Sequence, residues 1–182
     1  MAIKTFTTGE VLTAADTNTY LANSGLVYIK QQTIGTGVSS VSVSSAFSST
    51  FDNYKIIISG GVGSGLSSLS LTVGTAITAY SSGVVYVTYG ASSALGASDN
   101  NAAAYSFAGY ATTTFIGVNL DVLNPFNSAA TVFGPTLWAA GTVAGVSSGI
   151  HNVAASHTSF TFAPSSGTLT GGTIYVYGYR KQ

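Results

Sequence analysis

The chain has 182 residues, enough for one domain with a single buried core. Lys4, Lys30, Lys55, Arg180 and Lys181 balance Glu10, Asp16, Asp52, Asp99 and Asp121, so only 5% of residues are charged, against about 25% in ordinary chains. The long-range field that collects phosphate backbones or acidic membranes is missing, which argues against nucleic-acid binding. Zero cysteines exclude disulfides, thiolate metal sites and cysteine nucleophiles. No apolar run reaches the roughly 18 residues that span a bilayer, and the first ten residues lack the apolar stretch of a secretory signal. The expectation is synthesis in the cytoplasm without membrane insertion.

In chain order, residues 1–25 stand apart, with three of the ten charges and the one clear helix signal. Thr13 and Asp16 have capping-box spacing, which predicts an N-cap at Thr13 and a helix of two to three turns through Ala14, Ala15, Tyr20, Leu21 and Ala22, ending near Gly25. From Leu26 the period becomes two. Strands are predicted over residues 26–34, over Val38, Val41, Val43 and Phe47, and over residues 54–59. Leu69, Leu71 and Val73 alternate with hydroxyls, residues 84–89 follow a Ser81-Ser-Gly83 turn, and Ile116, Val118, Leu120 and Val122 give the cleanest alternation. Residues 136–140, 160–162 and 173–180 complete nine or ten strands. With no long helix between them, parallel βαβ units are ruled out. The expected fold is all-β, an antiparallel β-sandwich of jelly-roll or Greek-key type with one short N-terminal helix. Residues 1–25 would form an attachment segment and 26–182 the sandwich domain.

Chemistry-bearing motifs are sparse. Gly60-Gly-Val-Gly-Ser-Gly65 resembles a phosphate loop only in its glycines: neither Lys-Ser/Thr nor a helix follows, so a hairpin loop is expected. Ser147-Ser-Gly149 and Ser165-Ser-Gly167 read as turns rather than nucleophile elbows. His151 and His157 could both face one direction on a strand and meet copies at a three-fold axis, but no acid or cysteine nearby completes a metal shell, so neither a metal nor any other cofactor is expected. Glycosidases need two carboxylates about 5–9.5 Å apart, and here the five acids sit at wide intervals. Asp121 with either histidine could build a Ser-His-Asp triad, yet each has a simpler structural role. The expectation is that the chain is not an enzyme.

Two surfaces remain. Tyr175, Tyr177 and Tyr179 form a stripe on the last strand, expected to be covered by another subunit, because tyrosine supplies apolar area and a hydrogen bond together. Residues 91–101 are the longest polar, turn-rich connection; Asp99, Asn100 and Asn101, flanked by Tyr89 and Tyr105, offer the groups that hold sugars. Fifty Ser and Thr residues and 22 Gly, with few charges to resist association, point to a chain that lives in an assembly.

The opening Phe6-Thr-Thr-Gly-Glu-Val-Leu-Thr-Ala-Ala-Asp-Thr-Asn-Thr-Tyr-Leu21 resembles the start of tailed-bacteriophage virion proteins, tail fibre and minor tail proteins among them. The closing Gly167-Thr-Leu-Thr-Gly-Gly-Thr-Ile-Tyr-Val-Tyr-Gly-Tyr-Arg180 is similar to the last strand of small phage β-sandwich domains. The resemblance covers about 30 residues and implies a jelly-roll virion component, commonly trimeric. The first expectation for its place is a tail-associated fibre or fibre tip, with Phe6, Val11, Leu12, Tyr20 and Leu21 docking on other virion proteins and the loops reaching a host surface glycan. A capsid decoration or head-fibre protein on the same fold is the alternative, and a glycan depolymerase is disfavoured by the carboxylate shortage.

Overall fold

The computed structural model describes residues 7–17 and 25–181. The helix α1 covers Ala14–Asp16. The strands are β1 Leu26–Thr33, β2 Val41–Val43, β3 Asn53–Ser59, β4 Val62–Gly63, β5 Ser67–Val73, β6 Tyr80–Thr88 and β7 Ala94–Ala102. They continue as β8 Tyr105–Ala111, β9 Ile116–Leu123, β10 Ala129–Ala140, β11 Val143–Ala155, β12 Phe160–Pro164, β13 Leu169–Thr170 and β14 Thr173–Tyr179. Every pairing is antiparallel. The all-β sandwich is therefore the fold.

Its topology is that of one long hairpin rolled up. The pairs β1–β14, β2–β12, β3–β9 and β5–β8 nest inside one another along the chain. They form two sheets, β1-β14-β3-β9 and β2-β12-β5-β8, joined where β8 meets β9 through Tyr110–Gly117 and Ala111–Ile116. This nested arrangement in two sheets is the jelly roll. Alternation decides which side faces in. Tyr54, Ile56 and Ile58 of β3, Leu69, Leu71 and Val73 of β5, and Leu120 and Val122 of β9 enter the core, together with Phe160, Phe162, Ile174 and Val176. Burial of each such side chain contributes about 1.5–3 kcal/mol. Tyr54 is admitted to that core because its hydroxyl accepts from the Ser48 N–H (2.7 Å) and donates to the Ser48 carbonyl (2.8 Å).

Two hairpins lie outside the rolled strands. β6–β7 is inserted between β5 and β8, and β10–β11 between β9 and β12; β11 pairs with β6, so the first sheet continues as β10-β11-β6-β7. We call these four strands the arm. The arm corrects the sequence reading at several points. Residues 91–101, expected as a loop, contain most of β7, the edge strand of the arm. Ser81-Ser-Gly83 and Ser147-Ser-Gly149, expected as turns, lie inside β6 and β11. Small residues are needed there: a Cβ on Gly149 would lie 2.7 Å from the Tyr105 ring. The expected second strand shrinks to Val41–Val43, with Val38 making only an isolated bridge to Leu169. The short strands β4 and β13, with β7, β8 and β11, raise the count above the expected nine or ten, to fourteen among the described residues.

Candidate functional site

The arm carries one charged side chain, Asp99, and one histidine, His151, along its four strands. In β6 the buried alternation Tyr80, Ser82, Val84 stops, and Val85 (59% exposed), Val87 and Thr88 face outward. Register aligns Val146, Val85 and Gly96 in one row and Ala144, Val87 and Ala94 in the next. Val146 is 47% exposed, so the rows form a continuous apolar, uncharged surface. An open depression of about 650 Å³ beside them is lined by Gly83, Val85, Ala97, Pro135, Val146 and Ser148 among others. β7 is the free edge of the sheet, without the Lys or Pro that commonly discourages edge pairing.

The arm is pinned to the jelly roll by a column of rings. Tyr105 of β8 stacks on Phe133 of β10 (centroids 5.0 Å, planes 7° apart), Phe133 lies 6.2 Å from Tyr80 of β6, and Tyr80 lies 4.7 Å from His151 of β11. His157, in the connection to β12, makes an edge contact with His151 at 5.2 Å. The two phenol tips are bound. Tyr105 Oη lies 2.9 Å from Ser147 Oγ, which donates to the Phe107 carbonyl, and 3.3 Å from Thr136 Oγ1. Tyr80 Oη accepts from the Val73 N–H at 2.8 Å. Burial pushes both phenol pKa values up. Tyr105 is fully buried, which corrects its expected place beside a sugar-binding loop: its ring belongs to the junction.

The tyrosine stripe is where alternation placed it. Tyr175, Tyr177 and Tyr179 are half-buried on the outer face of β14, and Tyr28 of β1 meets Tyr177 edge-on at 5.9 Å. Beside them Lys55 and Asp121, opposite one another on β3 and β9, form an ion pair of 3.1 Å. Tyr179 donates to the other Asp121 oxygen at 2.5 Å. Burial and the Asp121 hydrogen bond and charge push the Tyr179 pKa up to about 12. Asp121 thus serves to hold the sheet face together, its two oxygens taken by Lys55 and Tyr179.

The remaining expected site residues divide. Tyr89 is 57% exposed at the end of β6, and Asp99 is half-buried on β7. Asn100 accepts from the Ser81 hydroxyl and Asn101 from the Ala79 N–H, so both amides hold β7 to the start of β6. Val11 and Leu12 are exposed (79% and 48%), ahead of a capping box in which Thr13 and Asp16 bond reciprocally. The three described residues of α1 bury nothing. Phe6, Tyr20 and Leu21 lie outside the described residues, as does the expected helix beyond Thr17.

Among the described residues no group of three or more His, Asp or Glu could hold a metal, and no helix is long and apolar enough to cross a membrane. Sequence reasoning missed Tyr80, Phe133 and Ser147, the anchors of the junction. Their only signal is an aromatic or hydroxyl in a Gly/Ser-rich strand, a pattern common throughout this chain. Compared with known proteins, the chain matches no family model, no curated protein and no solved structure.

Proposed function

We propose that the chain is a non-enzymatic structural component of a tailed-phage virion, a tail-associated fibre or fibre tip that works as a homotrimer. Residues 1–25 dock it on other virion proteins, and exposed groups of its surface, Tyr89 and Asp99 among them, meet a host surface glycan. The observation that carries the assembly part is the arm, whose outward Val85, Val87 and Val146 sit on two uncharged strands beside the single charge of β7. Such a surface favours burial against a second copy over exposure to water. The tyrosine face of β14 is a second area suited to subunit contact. The virion part rests on the resemblance of residues 6–21 and 167–180.

Sedimentation at micromolar concentration tests the assembly. The expected result is a trimer for the native chain and a folded monomer for Val85→Lys with Val146→Lys; a native monomer would overturn the reading. Antibody labelling of phage particles tests the location. Label on the tail is expected, label on the capsid would convert the reading to a decoration or head-fibre protein, and an unlabelled particle would end it.

A further inference from the structure

The junction holds an arrangement that the assembly reading does not use. His151 and His157 are both buried (2% and 8% exposed), and His151 Nδ1 and His157 Nε2 have no hydrogen-bond partner. Thr131, directly opposite His151 on β10, is fully buried, and its hydroxyl is also without a partner. A neutral imidazole carries one N–H and one bare nitrogen, whereas an imidazolium needs acceptors for two N–H groups. Here the added proton would meet no acceptor, and two imidazolium rings with centroids 5.2 Å apart would repel.

The surroundings offer little relief. Tyr80 of β6 lies against His151, Phe133 of β10 stacks beyond Tyr80, and Gly74, at φ +56°, leaves the space beside His157 that a Cβ would fill at 2.8 Å from Nδ1. The Pro125 carbonyl accepts from the His157 backbone N–H. The same turn carries Asn127, bound to Asp52, which is itself paired with Lys181 at 2.7 Å. Tyr80, Tyr105 and the two histidines are therefore the titratable groups in this ring cluster, and burial raises both phenols away from the acid range.

We propose that the buried His151–His157 pair is an acid-sensitive latch: protonating it frees the β10–β11 hairpin from the jelly roll. His151 sits at the root of β11, level with Thr131 and Tyr80, and His157 fixes the return to β12. Burial holds both pKa values below the ordinary 6.5. Between pH 6.5 and the folded-state values the unfolded chain binds more protons, so stability is full above 6.5 and falls as the pH drops.

The test is urea unfolding of the full chain between pH 7.5 and 5.0, with amide hydrogen exchange at pH 7.5 and 5.5 corrected for intrinsic rates. The folding equilibrium constant should fall by up to about tenfold per pH unit per histidine, about 100-fold for the pair. Exchange should rise in peptides from residues 129–155 before those from 53–59 and 116–123. His157→Phe should flatten the acid slope, and His157→Gln, which also removes the titration, serves if the larger ring prevents folding. A flat native profile, an unchanged slope in the folded variant, or uniform exchange across the chain would overturn the latch. So would stabilisation by zinc at pH 7.5 that vanishes in the variant, since the bare nitrogens would then be metal ligands.

Discussion

In the jelly roll, every second side chain of β5 and β9 faces the opposite sheet, whereas along the arm β7 is exposed or half-buried from end to end. Both regions are made of Val, Ala, Gly, Ser and Thr, and both satisfy their backbones by antiparallel pairing. The difference lies in the second layer. Strands covered on one face need strict alternation, because a one-residue slip would turn every apolar side chain to solvent. Strands without a cover gain little from alternation, and β6 abandons it after Val84. The two regions meet at the ring column from Tyr105 to His157, where hydroxyl and imidazole groups take over from aliphatic side chains. Stability of the chain is accordingly expected to reside in the jelly roll, with the arm held through its root.

The sharpest break of this contrast is Leu71→Ala. Leu71 is fully buried between the sheets, so the change should cost about 2–5 kcal/mol and lower the urea midpoint of the whole chain. A loss within 0.5 kcal/mol, as expected for exposed sites, would show that the two sheets are not the stabilising unit.

Tyr105→Phe probes the junction at smaller scale. It keeps the stack on Phe133 but leaves Thr136 and Ser147, both buried, without the phenol oxygen. The expected cost is about 1–2 kcal/mol. Exchange should rise first in residues 129–140, and a rise confined to β8 would place the hydroxyl's role in the jelly roll instead.

The smallest effect is expected on the outer face of the roll. Asp121→Asn removes the half-buried partner of Lys55, at a cost of about 1 kcal/mol. It should also return the Tyr179 ionisation from about 12 toward its ordinary 10. In the native chain the folded state holds that proton more tightly than the unfolded one, so stability is full below pH 10 and declines from there toward 12. Phenolate absorbance sums the 11 tyrosines, so Tyr179 is read from the difference between the alkaline titrations of the chain with and without Tyr179→Phe; an unaltered Tyr179 titration in Asp121→Asn would mean that burial alone raises it.

The amino-acid sequence determined the class of the fold and most of the jelly roll. The strands expected at residues 54–59, 69–73, 116–122 and 173–180 each formed, and at 69–73 and 116–122 the anticipated apolar face turned inward, because a half-buried strand writes its environment into a period of two. The Thr13–Asp16 capping box was legible for the same reason, being a local contact three residues apart. Nesting of the four strand pairs, the placing of Tyr105 in the interior and the union of two inserted hairpins into an arm were decided only in the tertiary structure. Those features join residues far apart in the chain, such as Tyr105 with Ser147 and Val85 with Val146. Pairing between backbones, which every residue but proline permits, leaves little mark on the sequence that pairs.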